Sequence, residues 1–239
     1  MLQQGEVHLC LMPLAQPASV IEELATMLTP DEHERASRFH FDRDRRRFIV
    51  ARGLLRQLLG RYLGAPGDAL RFEIGPFGKP SIAAGAQEAK LEFSLSHSGD
   101  WALAGITRGR GLGVDLEEVR AMTDHSELAR SNFAPAEAEA LLMLPEDQQI
   151  DGFFACWTRK EAYVKALGLG LSLDLASFVV SVEPTEIVEI VPASQDAGAH
   201  HMWGMRPLAG FWAAVAIETS NASMDFPRMR QVTHPGLAT

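Results

Sequence analysis

Residues 156–170 read CWTRKEAYVKALGLG, and their spacing predicts a helix that ends at a glycine. Trp157, Glu161 and Lys165 follow one another at intervals of four residues, so they form a stripe on one helix face. Val164 belongs to the same stripe, so a large aromatic residue shares its face with opposite charges. One interpretation is a surface Glu–Lys pair, which stabilises a helix by about 0.3–0.5 kcal/mol. The other is a functional site carried by this helix.

Helical and strand-like segments alternate on both sides of this stretch. The apolar spacing predicts helices at 19–29, 30–40, 43–64, 134–144 and 151–168. Short apolar runs predict a first strand near the N-terminus and further strands at 70–74, 91–96, 101–106, 112–119, 177–182, 185–191, 202–207 and 211–218. Each half therefore contains helices followed by several strands, which predicts an α+β fold.

This order divides the chain into two halves and a tail. We expect an N-terminal α+β half at 1–113, a C-terminal α+β half at 114–223, and a loose tail at 224–239. The tail is predicted to be loose because its sequence is polar and contains prolines. Asp151 is a candidate cap for the helix that carries the stripe.

The composition is that of an ordinary globular protein, with 46% hydrophobic and 22% charged residues. No apolar run approaches the roughly 20 residues that a membrane-spanning helix needs, and the N-terminus has no basic segment typical of a signal peptide. The two cysteines cannot form a disulfide framework, so we expect a protein of the reducing cytoplasm that does not contact membranes.

The net charge of −9 disfavours a general nucleic-acid-binding protein. The charge is also uneven, since 1–113 contains fourteen Lys or Arg and thirteen Asp or Glu, whereas 114–239 contains eight and eighteen. Two halves with different electrostatics suggest a site between them.

A pair of acids lies in the segment GVDLEEV. Asp115 and Glu117 are two residues apart, so in a strand their side chains point to the same face. Two adjacent carboxylates repel each other unless a cation joins them, and a hard divalent ion such as Mg²⁺ prefers oxygen ligands. The alternative is an acidic strand end that is simply solvated.

Two further segments suit an anion. The first is an arginine-rich run comprising Arg35, Arg38, Arg43, Arg45, Arg46, Arg47 and Arg52. Arginine is well suited to binding phosphate with two parallel hydrogen bonds, although most residues of such a run are usually solvated. The second is FSLSHSGDW, in which Ser96 and His97 precede a Gly-Asp turn and could offer donors to an anion. A purely structural His97 is the alternative.

The segments FSLSHS, GVDLEEV and WTRKEAYVKALGLGL occur in this order and resemble the three signature motifs of the 4′-phosphopantetheinyl transferases. FGKP at 77–80 is similar to a further segment of that family. The resemblance runs from about residue 30 to 182 and is to the monomeric type that activates peptide and polyketide synthetases. It implies two similar α+β halves related by a pseudo-twofold, with the active site in the cleft between them.

The resemblance also implies a role for individual residues. The metal ligands would be Asp115, Glu117 and Glu161, and the catalytic residues Glu161, Lys165 and Glu137, with Glu137 as a candidate base. The residues that bind substrate would be Arg35, Arg47, Lys79, Pro80, Ser96 and His97. The early helices differ from those of some relatives, because Glu32 lies where a cation can occur and Phe48 where a threonine can occur.

The implied reaction transfers the 4′-phosphopantetheine arm of coenzyme A to a serine of an apo carrier protein of the acyl, peptidyl or aryl type. Adenosine 3′,5′-bisphosphate is released, and Mg²⁺, or Mn²⁺ in its place, is required. Two alternatives remain open at this point. One is a non-catalytic module that binds coenzyme A or a carrier protein, and the other is a Mg²⁺-dependent phosphohydrolase.

Overall fold

The structure of the chain is a computed structural model. It describes Leu2 and residues 5–83, 90–183, 187–188, 190–191, 200–219 and 228–231.

Six helices lie in the described residues: α1 (Ala18–Ala25), α2 (Pro30–Ser37), α3 (Asp42–Leu63), α4 (His125–Asn132), α5 (Pro135–Met143) and α6 (Glu146–Leu167). The strands described in the first half are β1 (His8–Pro13), β2 (Phe72–Ile74), β3 (Pro80–Ile82), β4 (Leu91–Ser98) and β5 (Trp101–Arg108). Those that follow are β6 (Leu112–Glu118), β7 (Val179–Val180), β8 (Ile187–Val188), β9 (Ile190–Val191), β10 (His200–Met205), β11 (Phe211–Glu218) and β12 (Arg228–Gln231).

The first sheet has the strand order β12-β1-β5-β4, in which β1, β5 and β4 are antiparallel neighbours. Successive side chains of a strand point to opposite faces. Cys10 and Met12 therefore pack against α1 and α3 on one face of β1, whereas Leu9 and Leu11 point to the second sheet.

The second sheet has the order β6-β11-β10-β8 and is antiparallel throughout. Trp212, Ala214 and Ala216 pack against α6, whereas Ala213 and Val215 face the first sheet. The two sheets thus share a core between them, and each has its long helix on the outer face. A Cβ atom at position 113 of β6 would overlap the backbone of α6, so a glycine there permits the close contact between this strand and the helix.

The two long helices correspond to each other. Both α3 and α6 have 22 residues, and both end at a glycine in the left-handed conformation, Gly64 with φ 65° and Gly168 with φ 69°. Glycine carries no Cβ and adopts this conformation without strain. The two helix-plus-sheet halves predicted from the sequence are confirmed in this arrangement.

Three features of the structure differ from what the sequence predicted. α6 begins at Glu146 and not at the expected position 151. Asp151 does not cap the helix, because its carboxylate accepts a hydrogen bond from Trp212 Nε1 at 3.2 Å and pairs with Arg206 at 2.6 Å. α4 was not predicted. No strand was predicted between those at 70–74 and 91–96, where the structure has β3, which forms a hairpin with β2.

The boundaries of the halves also differ from the predicted ones. The border expected at 113/114 falls inside β6, which belongs entirely to the second sheet. The prediction of a loose tail is wrong for Arg228–Gln231, which form β12 and pair in parallel with β1. The rest of the tail, and positions 185, 186 and 189 of the predicted strand at 185–191, lie outside the described residues. Within the part that the structure describes, no helix is long and apolar enough to cross a membrane.

Candidate active site

A row of serines on β4 faces β6 across the contact between the two sheets. Ser94 Oγ accepts a hydrogen bond from the backbone nitrogen of Val114 at 3.0 Å. Ser98 Oγ donates to Glu117 Oε2 at 2.8 Å and accepts from the backbone nitrogen of Glu118 at 3.0 Å. These hydroxyls link the last strand of the first sheet to the edge strand of the second. The sequence showed the alternation of serines, but their partners on β6 become visible only in the folded chain.

The third serine belongs to a charged cluster. Ser96 Oγ donates to Asp115 Oδ1 at 2.7 Å, and Lys165 Nζ lies 2.6 Å from the same oxygen and 3.1 Å from Ser96 Oγ. Asp115 is only 3% exposed, so its charge depends on the neighbouring ammonium. Its other oxygen, Oδ2, is buried and has no hydrogen-bond partner among the residues that the structure describes. A buried carboxylate oxygen without a partner is a costly group, and it fits an acceptor for a cation or a donor from a ligand.

The two other predicted metal-binding acids respond to Asp115. Burial raises the pKa of Glu161, and the negative charge of Asp115 raises it further, while Lys165 opposes both effects. Burial and then Asp115 likewise raise the pKa of Glu117, whereas the hydrogen bond from Ser98 lowers it. Asp115 thus acts on both of the other carboxyl groups near one end of α6.

The donor atoms of these acids suit a hard divalent cation. Among the residues that the structure describes, however, no three His, Cys, Asp or Glu side chains are grouped closely enough to hold a metal ion. The described arrangement instead places the ammonium of Lys165 against Asp115. The metal site therefore stays a prediction that the donor set and the unpaired Asp115 oxygen support.

Glu161 and Lys165 lie at one side of a cleft with a volume of about 490 Å³. The remaining wall is largely apolar. Its lining includes Phe77, Phe93, Leu95, Val164, Leu173 and Leu175, together with Lys79, Pro80, Ser94 and Asn132. The cleft thus combines charged groups with an apolar surface large enough for part of a small molecule.

Lys79 and Pro80 join the same cleft through the β2–β3 hairpin. Lys79 Nζ donates to the backbone oxygen of Leu112 at 3.0 Å, so the hairpin is tied to the second half of the chain. Burial lowers the pKa of Lys79, although Glu92 acts in the opposite direction. Gly170 permits the hairpin to approach, because a Cβ atom there would lie 2.9 Å from the backbone oxygen of Phe77.

His97 and Arg47 lie next to the charged cluster. The side chain of His97 is exposed, but partial desolvation of its ring and then the positive charge of Lys165 lower its pKa, and Arg47 contributes in the same direction. These effects favour the neutral imidazole. Arg47 Nη2 pairs with Asp100 Oδ1 at 2.7 Å, which connects α3 to the turn after β4.

Arg35 is exposed on α2, outside the lining of the cleft, and its guanidinium lies 5.3 Å from the centre of the Phe48 ring.

Glu32, which lies where some relatives can have a cation, has a structural role in this chain. Its carboxylate is buried between Arg52, at 2.9 Å, and Arg56, at 2.8 Å. It also accepts from the backbone nitrogen of Thr29 at 2.9 Å and so caps α2.

The interpretation of Glu137 as a base requires correction. Glu137 is 1% exposed, and Glu137 Oε2 lies 2.6 Å from the ammonium of Lys160, which is also buried. Backbone nitrogens of Ala134 and Val180 donate to its two oxygens at 2.8 and 2.7 Å. A carboxylate enclosed in this way cannot reach a substrate hydroxyl. Glu137 stabilises the start of α5 and its contact with β7.

Comparison with known proteins follows the division seen in the structure. The family model described as 4′-phosphopantetheinyl transferase, N-terminal, matches residues 16–107, and that of the 4′-phosphopantetheinyl transferase superfamily matches residues 111–216. The border between the two matches lies just before β6. Each half of the fold thus corresponds to one part of the same class of enzyme.

Two individual relatives, HetI and Sfp, agree with this class. The 4′-phosphopantetheinyl transferase HetI of Nostoc sp. is 40% identical over 216 residues, which are 90% of this chain and 89% of HetI. The 4′-phosphopantetheinyl transferase Sfp of Bacillus subtilis is 30% identical over 74% of this chain and 76% of its own. Among solved structures, the holo-[acyl-carrier-protein] synthase of Thermotoga maritima aligns with a TM-score of 0.37 and 21% identity, over 46% of this chain and 64% of that chain.

The chain therefore belongs to the 4′-phosphopantetheinyl transferases, enzymes that transfer the phosphopantetheine group of coenzyme A to carrier proteins.

Proposed function

We propose that the charged cluster around Asp115 and Lys165 is the site at which the phosphopantetheine arm passes from coenzyme A to a carrier serine. One observation carries the proposal: Lys165, Asp115 and Glu161 lie together beside a cleft where the two halves of the chain meet. A buried acid with one unpaired oxygen, a lysine and a second acid with a raised pKa are suited to phosphoryl transfer, which depends on positioning and electrostatics.

Asp115, Glu117 and Glu161 would hold Mg²⁺, or Mn²⁺ in its place. When bound, the ion neutralises charge on the pyrophosphate of coenzyme A. The Asp115 oxygen without a described partner, and the effect of Asp115 in raising the pKa of both Glu117 and Glu161, support this assignment. Lys165 Nζ lies 2.6 Å from Asp115 Oδ1 and supplies a positive charge against it.

The chemistry of the chain's own residues follows from their charges. The carrier serine oxygen attacks the β-phosphate of coenzyme A, and the bond from that phosphorus to the bridging oxygen breaks. Glu161 takes the serine proton directly or through water, because its raised pKa increases its affinity for a proton. Lys165 stabilises the negative charge on the departing adenosine 3′,5′-bisphosphate.

The binding of coenzyme A would use both sides of this cluster. Ser96, His97 and Arg47 lie beside the charged end and would contact phosphate. Lys79 and Pro80 line the cleft and would hold the nucleotide. Arg35 would contact the 3′-phosphate from α2.

We further propose that the enzyme acts as a monomer, because one chain contributes both sides of the cleft. Its proposed location is the cytoplasm. Its substrates would be carrier domains of the peptide and polyketide synthetases of secondary metabolism.

The test is the intact mass of apo carrier proteins after incubation with the protein, coenzyme A and Mg²⁺. The panel should include carriers from fatty-acid synthesis and from peptide synthetases. We expect a gain equal to one phosphopantetheine group on at least one carrier. If every carrier in a broad panel stays unmodified while the protein is folded, the proposed transfer is wrong.

A further inference from the structure

A basic surface segment, residues 38–46, has no role in the proposed chemistry. It joins α2 to the first turn of α3. The side chains of Arg38, Arg43 and Arg46 are 73%, 70% and 54% exposed. The segment contains four arginines and two aspartates, so it is positive in a chain with a net charge of −9.

The same segment exposes aromatic surface. Phe41 is 62% exposed and Phe39 is 38% exposed, so both present large apolar side chains to solvent. His40 contacts Phe41 edge-on, with ring centres 4.8 Å apart. Exposed aromatic rings between arginines are the composition enriched at the centres of protein interfaces.

The arginines retain donors for a partner. Arg45 and Arg46 share Asp42, and Arg43 pairs with Asp44, but all of these are exposed pairs on one helix end. Exposed ion pairs are weak, and each guanidinium has five N–H donors, so such pairs exchange readily for a stronger acceptor.

The basic segment is linked to the charged cluster by the residue that follows it and by two side-chain contacts. Arg47 directly follows it and pairs with Asp100 in the turn after β4. Ser98, two residues before Asp100, donates to Glu117 of the proposed metal-binding set. These contacts connect the segment to the acids that a carrier serine would have to approach.

We propose that the basic segment is a docking surface for the carrier protein and recognises an acidic surface with apolar groups beside the modified serine. The inference rests on the proposed function, which requires a macromolecular substrate. Charge complementarity selects the kind of partner. An acidic carrier is repelled by the second half of the chain, which contains eight Lys or Arg against eighteen Asp or Glu, whereas the local arginine cluster in the first half attracts it.

The test is steady-state kinetics of the full chain carrying Arg43→Glu and Arg46→Glu, with the carrier that the wild type modifies. Both positions lie in the first two turns of α3, where negative side chains suit the helix dipole, so the fold should be retained. We expect KM for the carrier to rise at least tenfold, while kcat and KM for coenzyme A stay within about twofold. Phe41→Ser should raise KM for the carrier without changing its salt dependence.

The matched control carries Arg61→Glu and Arg130→Glu. Both side chains are exposed, and the net charge changes by the same amount. Arg61 lies fifteen residues after Arg46 on the same helix, about 22 Å away. We expect the control to resemble the wild type at 0.15 M salt.

Each other outcome would overturn the docking proposal. An equal rise in carrier KM for both double variants would indicate a general charge effect. An unchanged carrier KM in the Arg43 and Arg46 variant would exclude the surface, and a raised KM for coenzyme A would assign these arginines to the nucleotide. Failure of the proposed function is distinguishable, because then the wild type itself yields no modified carrier.

Discussion

At the residue scale, the contact between Lys165 and Asp115 is the centre of the proposed chemistry. Asp115 is almost fully buried, and the ammonium 2.6 Å away provides its counter-charge. The sequence alone allowed an exposed pair between Glu161 and Lys165. In the described structure, the hydrogen-bond partners of Lys165 are instead Asp115 and Ser96. Lys165 of the stripe on α6 thus reaches Asp115 and Ser96, where β6 lies next to β4.

Replacing Lys165 separates binding from catalysis. We expect Lys165→Met to lower turnover by roughly 10²–10³, because the missing charge acts mainly as the leaving phosphate develops. Binding of Mn²⁺ to the free protein should be at least as tight as in the wild type, since no ammonium competes for Asp115. Kinetics over a Mg²⁺ titration and Mn²⁺ binding by electron paramagnetic resonance test both points. Turnover near that of the wild type would show that Lys165 has no catalytic role.

The carboxyl groups predict a pH dependence of metal binding. Burial and Asp115 raise the pKa of Glu117, and Ser98 lowers it by donating a hydrogen bond to the ionised form. Protons compete with the metal for this group, so Mn²⁺ affinity should fall as the pH drops through the raised pKa. Ser98→Ala removes the opposing hydrogen bond, and the midpoint should therefore move to higher pH. A midpoint that is unchanged or lower in the variant would contradict the assignment of Glu117 to the site.

At the element scale, a buried ion pair fixes the position of α6. Lys160, next to Glu161, pairs with Glu137 of α5 and donates to the backbone oxygens of Leu175 and Phe178 at 2.7 and 2.8 Å. Leu175 lines the cleft. The pair therefore connects the helix that carries the proposed catalytic residues to the wall opposite them.

Breaking this pair should affect stability more than chemistry. Glu137→Gln leaves a buried lysine without its counter-charge, which typically costs about 3–5 kcal/mol. Chemical denaturation should reveal that loss, while kcat per folded molecule and its pH profile should stay close to the wild-type values. The double variant Glu137→Gln with Lys160→Met removes both charges and should recover much of the stability. A kcat that falls 100-fold in the folded double variant would restore Glu137 as the base.

The elements that the sequence predicted well are those with a local pattern. The long helices α3 and α6 and the strands β4, β5, β6 and β11 have clear periodicity or apolar runs, and the structure contains them. α4 was missed because its eight residues, HSELARSN, offer only two apolar positions in the helical pattern. β12 was missed because it pairs with β1, more than 200 residues away, and no local signal marks such a pairing.

At the scale of the whole molecule, the candidate site was predictable in its members but not in its arrangement. The ordered motifs identified Asp115, Glu161 and Lys165. The serine row depends on contacts between the halves, and the burial of Glu137 depends on packing of α5 against α6 and β7 within the second half. Spacing along the chain encodes neither. Placement of Lys165 against Asp115 likewise requires β6 and α6 of the second half to pack together first.

The most direct test of the central claim measures both products of one reaction. Wild-type protein and Asp115→Asn are each incubated with coenzyme A, Mg²⁺ and an apo carrier, and modified carrier and adenosine 3′,5′-bisphosphate are quantified together. We expect equal amounts of both products from the wild type, none of the bisphosphate without carrier, and at least a 100-fold loss of both in Asp115→Asn, on the scale of a lost transition-state contact. Bisphosphate released without carrier would indicate a phosphohydrolase. Coenzyme A bound with neither product formed would indicate a binding module, and either result would contradict the account.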